Sequence, residues 1–313
     1  MAVFYPKLGF FSIVIIFLAT LVANLTAKPR LVNFSPPNLF PPKYSLRDIT
    51  KRSTQTILVS VGDIMLGRYC NVQMLQNKDW KYPFLNIADF TSSADITFSN
   101  LEAPIVENCP TTETGMIFCS QPDSIEGLKF AGFDVLSLAN NHILNQGEFG
   151  LAQTQEILKK NQILPVSPNP LSIKKVNGTS FGFLAFDLVT YPPPRLAVFG
   201  EAGRAVDILI VSLHWGSEYQ KQPAKSQVEL AHQIIDSGAK IVIGHHPHVT
   251  QPVEEYKDGL IFYSLGNFVF DQAWSEETKK GAIAKIIFEG KKIKSYELVP
   301  IYIENFCQPR LVK

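Results

Sequence analysis

The sequence predicts an α/β layered domain, in which buried β-strands alternate with helices along the chain. Short apolar runs rich in β-branched residues recur between residues 56 and 265, and helix-like segments separate several of them. Five of these runs end in Asp, Glu, Asn or His. A hydrophobic content of 46% over 313 residues suffices for a substantial core, and a formal net charge of +1 gives no reason to expect a nucleic-acid partner.

The first thirty residues differ from the rest of the chain. Residues 8–27 carry no charged side chain. Two interpretations stay open: a secretory signal peptide that ends at Ala27, or an uncleaved membrane anchor, for which about 20 apolar residues are needed. Leu25 is unfavourable three positions before the cleavage point, and this favours the anchor slightly. Either interpretation predicts an extracytoplasmic domain, held at the cell membrane or secreted.

Residues 31–55 are rich in Pro, Asn and Ser, which predicts an extended linker. The folded domain is predicted over residues 56–305. Its first element is a central strand at Thr56–Val61, followed by Gly62 and Asp63. A carboxylate just past a buried strand is well placed as an oxygen ligand, but a turn residue or a helix N-cap explains Asp63 equally well.

The rest of the domain repeats this pattern. Further strands are predicted at Ala94–Leu101, Asp134–Ala139, Asp207–Leu213, Ile241–Ile243 and Leu260–Leu265, and helices at Asp123–Phe130, Glu148–Lys160 and Ala224–Asp236. Asn177-Gly178 predicts a hairpin between residues 172–176 and 181–186. The alternation over residues 281–303 predicts antiparallel strands, whereas Pro192–Pro194 opens a loop that no pattern places.

The strand ends carry residues of the kinds that bind metals. In chain order they are Asp63, Glu102, Asn141, His214, His246 and His248. Since strand carboxyl ends meet in one crevice of an α/β sheet, we expect these side chains to converge. Pro247 stiffens the last loop. A lone histidine in such a turn would more often be incidental; His245 is not expected to be a ligand, and His232, inside a predicted helix, is interpreted as structural.

Carboxylate, amide and imidazole ligands together suit borderline divalent ions such as Mn²⁺, Fe²⁺ or Zn²⁺. Six ligands are too many for one tetrahedral zinc with an open position, but they suit two ions that share a carboxylate. Two ions about 3.5–4 Å apart stabilise the attacking and leaving oxygens of phosphoester hydrolysis. His142, beside a predicted ligand, could give a proton to the leaving group or stabilise charge in the transition state.

Four cysteines, Cys70, Cys109, Cys119 and Cys307, suit an oxidising compartment without requiring one. Cys109 and Cys119 bracket a short loop and could form a local disulfide, but the sequence leaves all three pairings of four cysteines open. None lies in a Cys-x-x-Cys pair, so no metal or redox role is assigned to them.

Several motifs stand in a characteristic order over residues 56–272. They are Gly62-Asp63-Ile64-Met65 with Arg68, Asn100-Leu101-Glu102, Ala139-Asn140-Asn141-His142, His214-Trp215-Gly216-Ser217-Glu218, His246-Pro247-His248 and residues 263–272. This order resembles the CapA family of poly-γ-glutamate capsule biosynthesis proteins, within the calcineurin-like metallophosphatase superfamily. The resemblance implies a four-layer αββα sandwich, with two mixed β-sheets flanked by helices, and a dinuclear metal site.

The resemblance also implies roles for individual residues. One ion is expected on Asp63, Glu102 and His248, and the other on Asn141, His214 and His246, with Glu102 as a possible bridge. Arg68 is expected to grip an anionic group, phosphate or carboxylate, unless it forms only a surface salt bridge. Four features depart from the pattern of the superfamily and the family: Met65 replaces a histidine ligand, Glu102 replaces an aspartate, the acid of the loop that should follow His142 is missing, and Asn145 stands where the family often has an aspartate.

These features predict an exported or membrane-anchored metal-dependent hydrolase of the phosphoesterase type, involved in poly-γ-glutamate or capsule biosynthesis or export. The expected partners are an anionic substrate or polymer (polyglutamate or a phosphoester), the membrane through the N-terminal segment, and a capsule synthesis complex. The missing loop acid motivates an alternative, a non-catalytic metal-containing subunit that binds polymer or assists assembly. Metal-assisted chemistry other than phosphoester hydrolysis ranks last.

Overall fold

A computed structural model describes residues 30–32 and 55–312 of the chain. The strands in these ranges are β1 (Arg30–Val32), β2 (Gln55–Ile64), β3 (Ile96–Leu101), β4 (Val135–Ser137), β5 (Leu164–Val166), β6 (Ser172–Val176), β7 (Thr179–Asp187), β8 (Ile208–His214), β9 (Ile241–His245), β10 (Val253–Tyr256), β11 (Gly259–Phe262), β12 (Asn267–Val269), β13 (Lys280–Glu289), β14 (Lys292–Glu304) and β15 (Gln308–Leu311). The α-helices are α1 (Arg68–Asn77), α2 (Ala88–Thr91), α3 (Ile125–Phe130), α4 (Gly147–Lys160), α5 (Ala197–Ala205) and α6 (Lys225–Asp236). Short 3₁₀ turns lie at Tyr82–Phe84 and Pro122–Ser124.

The strands form two mixed sheets. The first has the order β1-β10-β11-β9-β8-β7-β6, and β11, β9, β8 and β7 run parallel within it. The second has the order β15-β14-β13-β2-β3-β4-β5, with β2 to β5 parallel, and β12 pairs with β2 beside this path. Parallel strands need crossover connections, and helices α3 to α6 lie in the segments that make them.

Three apolar layers show that the sheets are sandwiched between helices. Between the two sheets, Phe98 of β3 stacks on Phe183 of β7 with ring centroids 5.6 Å apart. A second cluster packs the outer face of the β2 sheet against α1 and α3, and a third packs the β8 sheet against α5 and α6. The expected four-layer αββα sandwich of two mixed sheets is therefore confirmed.

Most elements that the sequence predicts are present, with shifted ends. The hairpin at Asn177-Gly178 forms between β6 and β7, and both turn residues have positive φ, 49° and 81°, as a tight hairpin turn requires. The predicted helix over Asp123–Phe130 divides into a 3₁₀ turn and α3. Helices α1, α2 and α5 were not predicted, and α5 begins shortly after the proline run that no pattern placed.

Two disulfides hold the domain. Cys109 pairs with Cys119, as their spacing suggested, and Cys70 pairs with Cys307 across a sequence separation of 237 residues. The second bond ties α1 to the turn between β14 and β15. The same turn region is held again where Gln308 Nε2 donates to the backbone oxygen of Tyr82 at 2.8 Å.

The predicted signal or anchor segment, residues 8–27, and most of the predicted linker lie outside the described residues. Within residues 30–32 and 55–312, no helix is long and apolar enough to cross a membrane. Strand β1 lies at the boundary between the predicted signal or anchor region and the predicted linker. It pairs antiparallel with β10 at the edge of the first sheet.

Gly244, in β9, occupies a position that admits no side chain. A Cβ atom there would lie 1.9 Å from the backbone oxygen of Tyr263 and 2.5 Å from Nε1 of Trp215. We expect Gly244→Ala to lower the free energy of unfolding by about 3 kcal/mol, because the backbone beside the predicted ligand loop must move. Urea denaturation followed by circular dichroism measures this loss.

Gly200→Ala is the matched control for that substitution. Gly200 lies within α5, and its added Cβ would meet its nearest neighbours at an ordinary 3.5 Å. Alanine favours a helix over glycine by about 1 kcal/mol, so this variant is expected to be as stable as the wild type or more stable. Equal stability of the Gly244 and Gly200 variants would contradict the packing argument.

Candidate metal centre

The strand register brings the predicted ligands to one edge of each sheet. In the second sheet Asp63 of β2 lies beside Asn100 of β3 and Asn267 of β12. In the first sheet His214 of β8 pairs with His245 of β9. These are the carboxyl ends of parallel strands, and the two edges meet where His245 and His246 contact Asp63. The strand ends therefore converge, as the sequence predicts.

Asp63 is fully buried and is the most heavily contacted carboxylate of the site. Its Oδ1 accepts a hydrogen bond from Asn100 Nδ2 at 2.9 Å, and its Oδ2 accepts from the backbone N–H of His246 at 3.1 Å. His245 Nδ1 lies 2.9 Å from Oδ1, in a contact whose direction is not that of a hydrogen bond. Asp63 thus joins the two sheets at the centre of the site.

The histidine loop after β9 has a constrained backbone. His246 and His248 have φ values of 93° and 56°, in a region that residues other than glycine rarely adopt. Such a backbone costs about 1–3 kcal/mol per residue and persists where the surrounding structure fixes it. The backbone bond from His246 to Asp63 and the ring of Pro247 supply that constraint.

His248 is held in one orientation by an amide. Its Nδ1 lies 3.0 Å from Asn267 Oδ1, while Asn267 Nδ2 donates to Gln272 Oε1 and to the backbone oxygen of Thr278, both at 3.0 Å. Because the carbonyl oxygen of Asn267 accepts, Nδ1 of His248 donates, and Nε2 is the ring nitrogen that faces the ligand cluster. That Nε2 lies 3.7 Å from Glu102 Oε1, inside the ligand cluster.

His214 and Asn141 converge from the two sides of the crevice. His214 Nε2 lies 3.0 Å from Asn141 Oδ1, and His214 Nδ1 lies 3.4 Å from Asn100 Nδ2. The ring centroids of His214 and His246 are 4.8 Å apart. The structure thus brings all six predicted ligands together.

The ligand atoms form two adjacent groups. Those of Asp63, Glu102 and His214 lie within 4.8 Å of one another, and so do those of Glu218, His246 and His248. His248 contacts the first group as well, since its ring nitrogens lie 3.4 Å from Asp63 Oδ2 and 3.7 Å from Glu102 Oε1. The partition between two ions that the resemblance implies therefore stays a prediction. Glu218 was noticed in the sequence only as a motif residue. It follows a strand end by four positions, in a loop, so the strand-end rule could not assign it.

The two predicted catalytic side chains flank this cluster. His142 Nδ1 lies 3.1 Å from Asn145 Oδ1, and its ring stacks on Phe118 with centroids 4.0 Å apart. The Arg68 guanidinium lies 4.8 Å from the Phe118 ring centroid and pairs with Asp271. The Arg68 side chain is only 10% exposed, so the pair is not a surface salt bridge.

Met65 fits an apolar role at the position where the superfamily has a histidine. It is fully buried and packs with Ala103, Phe118 and Phe270. The ring of Phe270 also lies 4.8 Å from that of His248. A buried apolar cluster therefore occupies the position beside the site where the superfamily pattern would place a further ligand.

Electrostatics favours the protonation states that metal ligation needs. Burial opposes ionisation of Asp63, but the side-chain contacts with His245 and His248 outweigh it and hold the pKa of Asp63 well below its usual range. Burial, followed by repulsion from His248, lowers the pKa of His246 to about 4. Burial also lowers the pKa of His214. Both imidazoles are therefore neutral near pH 7, as metal ligands must be.

Glu102 behaves in the opposite way. Burial, then the charges of Asp63 and Glu218, raise its pKa well above the usual range. Its Oε1 is buried and has no hydrogen-bond partner among the described residues, and the same holds for His246 Nδ1. Crowded carboxylates with unpartnered buried ligand atoms are the environment that a cation stabilises. The residues present therefore fit a divalent metal.

The architecture has a counterpart among solved structures. A hypothetical protein from Thermus thermophilus superposes with a TM-score of 0.53 at 15% identity, over 79% of this chain and 100% of that chain, a likeness that concerns the fold alone. The fold and the buried site together define an αββα protein with two mixed sheets and a candidate metal centre at the strand ends.

The sequence profile described as Bacterial capsule synthesis protein PGA_cap matches residues 57–197 and 195–272, and the chain belongs to this family. It is 30% identical to the capsule biosynthesis protein CapA of Bacillus anthracis over 287 residues, which cover 82% of this chain and 69% of that protein. It is 32% identical to the PGA biosynthesis protein CapA of Bacillus subtilis strain 168 over 271 residues, or 78% and 71% of the two chains. The resemblance found in the motif order is confirmed.

Proposed function

We propose that this protein is an exported or membrane-anchored, metal-dependent hydrolase that cleaves a phosphoester in poly-γ-glutamate or capsule biosynthesis. The observation that carries the proposal is the convergence of two groups of ligand atoms, each within 4.8 Å, at one buried crevice. The biological setting is supported by the relatives, which are named for capsule and PGA biosynthesis.

The chain offers ligands for two divalent ions of the Mn²⁺, Fe²⁺ or Zn²⁺ type. They would be held by Asp63, Glu102, Asn141, His214, Glu218, His246 and His248. Such ions, when bound, lower the pKa of a coordinated water and polarise phosphoryl oxygens. Two buried asparagines orient ligand side chains through hydrogen bonds: Asn267 bonds to His248, and Asn100 bonds to Asp63.

His142 supplies proton transfer at the leaving group. Burial lowers its pKa, and the hydrogen bond to Asn145 opposes that effect only in part. An anionic group bound beside the ring favours the protonated form, so the proton is taken up with the substrate. Since Nδ1 is engaged by Asn145 and the ring plane is fixed by Phe118, Nε2 is the atom that gives the proton to the leaving oxygen.

Arg68 holds a non-reacting oxygen of the anionic group. Its ion pair with Asp271 and its bond from Nη1 to the backbone oxygen of Gly115, 3.1 Å, fix the guanidinium without using all of its donors. Its Nε is buried and has no hydrogen-bond partner among the described residues. A planar group held in this way matches the geometry of a phosphoryl oxygen pair.

His142→Ala is expected to lower kcat for phenyl phosphate, whose leaving oxygen needs a proton, by about 10²–10⁴-fold, the usual contribution of a positioned acid. The purified full-length chain, loaded in turn with Mn²⁺, Fe²⁺ and Zn²⁺, is assayed by release of phenol. Metal content, measured by inductively coupled plasma mass spectrometry, should stay that of the wild type. Wild-type turnover that survives in the variant would remove His142 from the mechanism.

His232→Gln serves as the matched control for a histidine outside the crevice. His232 Nε2 bonds to Glu254 Oε1 at 2.7 Å, and its ring stacks on Tyr256, so the residue has a structural environment. The kcat of the His232→Gln variant is expected to stay within about twofold of the wild-type value, since His232 touches no reacting group.

A second candidate function is a metal-containing subunit that binds polymer without cleaving it. The amide of Asn145 favours it, because an amide stabilises a protonated imidazole less than a carboxylate would. Retention of metal without turnover of phosphomono- or phosphodiesters, whatever the ion, would select this function over the hydrolase. Its partners would be an anionic polymer such as polyglutamate and a capsule synthesis complex.

Export to the cell surface or into the medium is part of the proposal. It is supported by the uncharged stretch at residues 8–27 and by the two disulfides, which suit an oxidising compartment. Membrane fractionation of producing cells, followed by N-terminal sequencing, separates an anchored chain from one cleaved near Ala27.

A further inference from the structure

Two exposed aromatic side chains stand at the mouth of the metal centre. Tyr219 and Trp274 are 42% and 62% exposed, and their rings meet edge to face, with centroids 6.2 Å apart and planes at 81°. Tyr219 directly follows Glu218 of the ligand cluster, and its ring centroid lies 6.4 Å from that of His248. We call Tyr219 and Trp274 together the aromatic corner.

Contacts on both sides fix the backbone of the aromatic corner. The Tyr219 N–H donates to the backbone oxygen of Pro247 at 2.8 Å, and Tyr219 has a φ of 63°, a backbone that side chains other than glycine rarely adopt. The segment that carries Trp274 is closed where Thr278 Oγ1 donates to the backbone oxygen of Gln272 at 2.7 Å. The aromatic corner therefore lies on the two loops that supply Glu218 and Asp271, and the first of these is bonded to the loop of His248.

The Tyr219 ring is tethered to the ligand cluster at its oxygen end, where the hydroxyl is hydrogen-bonded to Glu218. The two rings of the aromatic corner meet at nearly a right angle, and both side chains keep a large part of their surface exposed.

The charges around the corner do not favour a polyanion there. The nearby lysines are already paired: Lys221 and Lys280 with Glu277, at 3.2 and 3.1 Å, and Lys279 with Glu276. Neutral ring faces offer nothing to a carboxylate, but they bind flat rings and the C–H faces of sugars by dispersion and edge-to-face contact. The occupant that fits is a ring, not a run of glutamates.

We propose that Tyr219 and Trp274 form a specificity subsite for a ring attached to the phosphoryl group, either a sugar or an aryl ring. The proposal rests on the proposed function, since it places the phosphoryl group at the metal centre and the ring beside it. The short separation of Tyr219 from His248 requires that the ring be joined to the phosphoryl group directly, without a long spacer.

Binding by the zinc-loaded full-length chain tests this subsite without requiring turnover. Calorimetry compares phenylphosphonate and glucose 1-phosphate, which carry rings, with ethylphosphonate, which carries none. The wild type is expected to bind at least one ring-bearing ligand about 3- to 10-fold more tightly than ethylphosphonate, the range of one aromatic contact. Whichever ring-bearing ligand shows the preference identifies the ring as aryl or sugar.

Variants of Trp274 assign that preference to the corner. Trp274→Ala should bring the three affinities together, whereas Trp274→Tyr should keep most of the preference, because it keeps an aromatic face. Tryptophan emission gives a second readout, since Trp215 is only 2% exposed and Trp274 is exposed. Ring-bearing ligands should change the emission of the wild type, and this change should be absent in Trp274→Tyr. Trp80→Phe should leave both results unchanged.

A ring preference that survives in Trp274→Ala, or equal wild-type affinities for all three ligands, would overturn the subsite. A γ-glutamyl oligomer that alone changes Trp274 emission would assign the corner to polymer instead. Ring-selective binding without hydrolysis of any phosphoester would keep the subsite and remove the hydrolase. Hydrolysis without ring selectivity would keep the hydrolase and remove the subsite. The two proposals can therefore fail separately.

Discussion

Asp63→Asn is expected to weaken metal binding by about 100-fold or more, because it removes the charge at the centre of the site. Asp63 contacts the side chains of Asn100, His245 and His248 and the backbone of His246, so it both offers a ligand oxygen and aligns the histidine loop. Asparagine has the same shape, and the fold should persist. Metal content after gel filtration, and the Kd from competition with a chelating dye, measure the effect.

Glu254→Gln is the control for loss of a buried carboxylate elsewhere. Glu254 is fully buried and accepts from the Tyr263 hydroxyl at 2.6 Å and from His232 Nε2 at 2.7 Å. The control variant should lose stability but keep the wild-type metal content, because Glu254 belongs to neither group of ligand atoms. Full metal occupancy in Asp63→Asn would show that the metal ions bind somewhere other than at Asp63.

Removal of the Cys70–Cys307 disulfide by paired serine substitutions is expected to have the largest effect on stability. A disulfide lowers the entropy of the unfolded chain, and the loss grows with the length of the closed loop. For a loop of this length the bond is expected to contribute about 5 kcal/mol to the free energy of unfolding, against about 3 kcal/mol for a loop of some 15 residues. The serine pair at Cys109 and Cys119, ten residues apart, is therefore the smaller perturbation. Urea unfolding of both variants and the wild type gives the order.

The Cys70–Cys307 variant should also unfold from α1 and β15, since the bond ties α1 to the turn that leads into β15. Hydrogen exchange of the amides in α1 reports that local loss directly. A stability lower in the Cys109–Cys119 variant than in the Cys70–Cys307 variant would contradict the loop-length argument.

The central strands could be predicted because each is a short, continuous apolar run bounded by polar residues. Helix α5 could not be predicted from the sequence, and the reason is physical. It contains Gly200 and Gly203, which disfavour helix, and it follows a proline run. Its stability comes from Phe199 and Ala202, which pack on the sheet beneath it, and only tertiary structure shows that contact.

The metal ligands at strand ends could be predicted because strand direction places them at one edge. Their supporting residues could not. Asn267 and His245 have no sequence signal that separates them from turn or core residues, and their roles arise only when the two sheets pack face to face. Glu218 enters the cluster because the loop after β8 folds back over His246, and no sequence spacing dictates that path.

The two loop lengths also favour an order in which the four thiols pair. Cys109 and Cys119 lie ten residues apart, whereas 237 residues separate Cys70 from Cys307. Since the entropy lost in closing a loop grows with its length, the local bond is expected to form first, and Cys70 and Cys307 are then left with each other as partners. Arg68, two residues before Cys70, is therefore expected to be among the last parts of the site to be fixed in place.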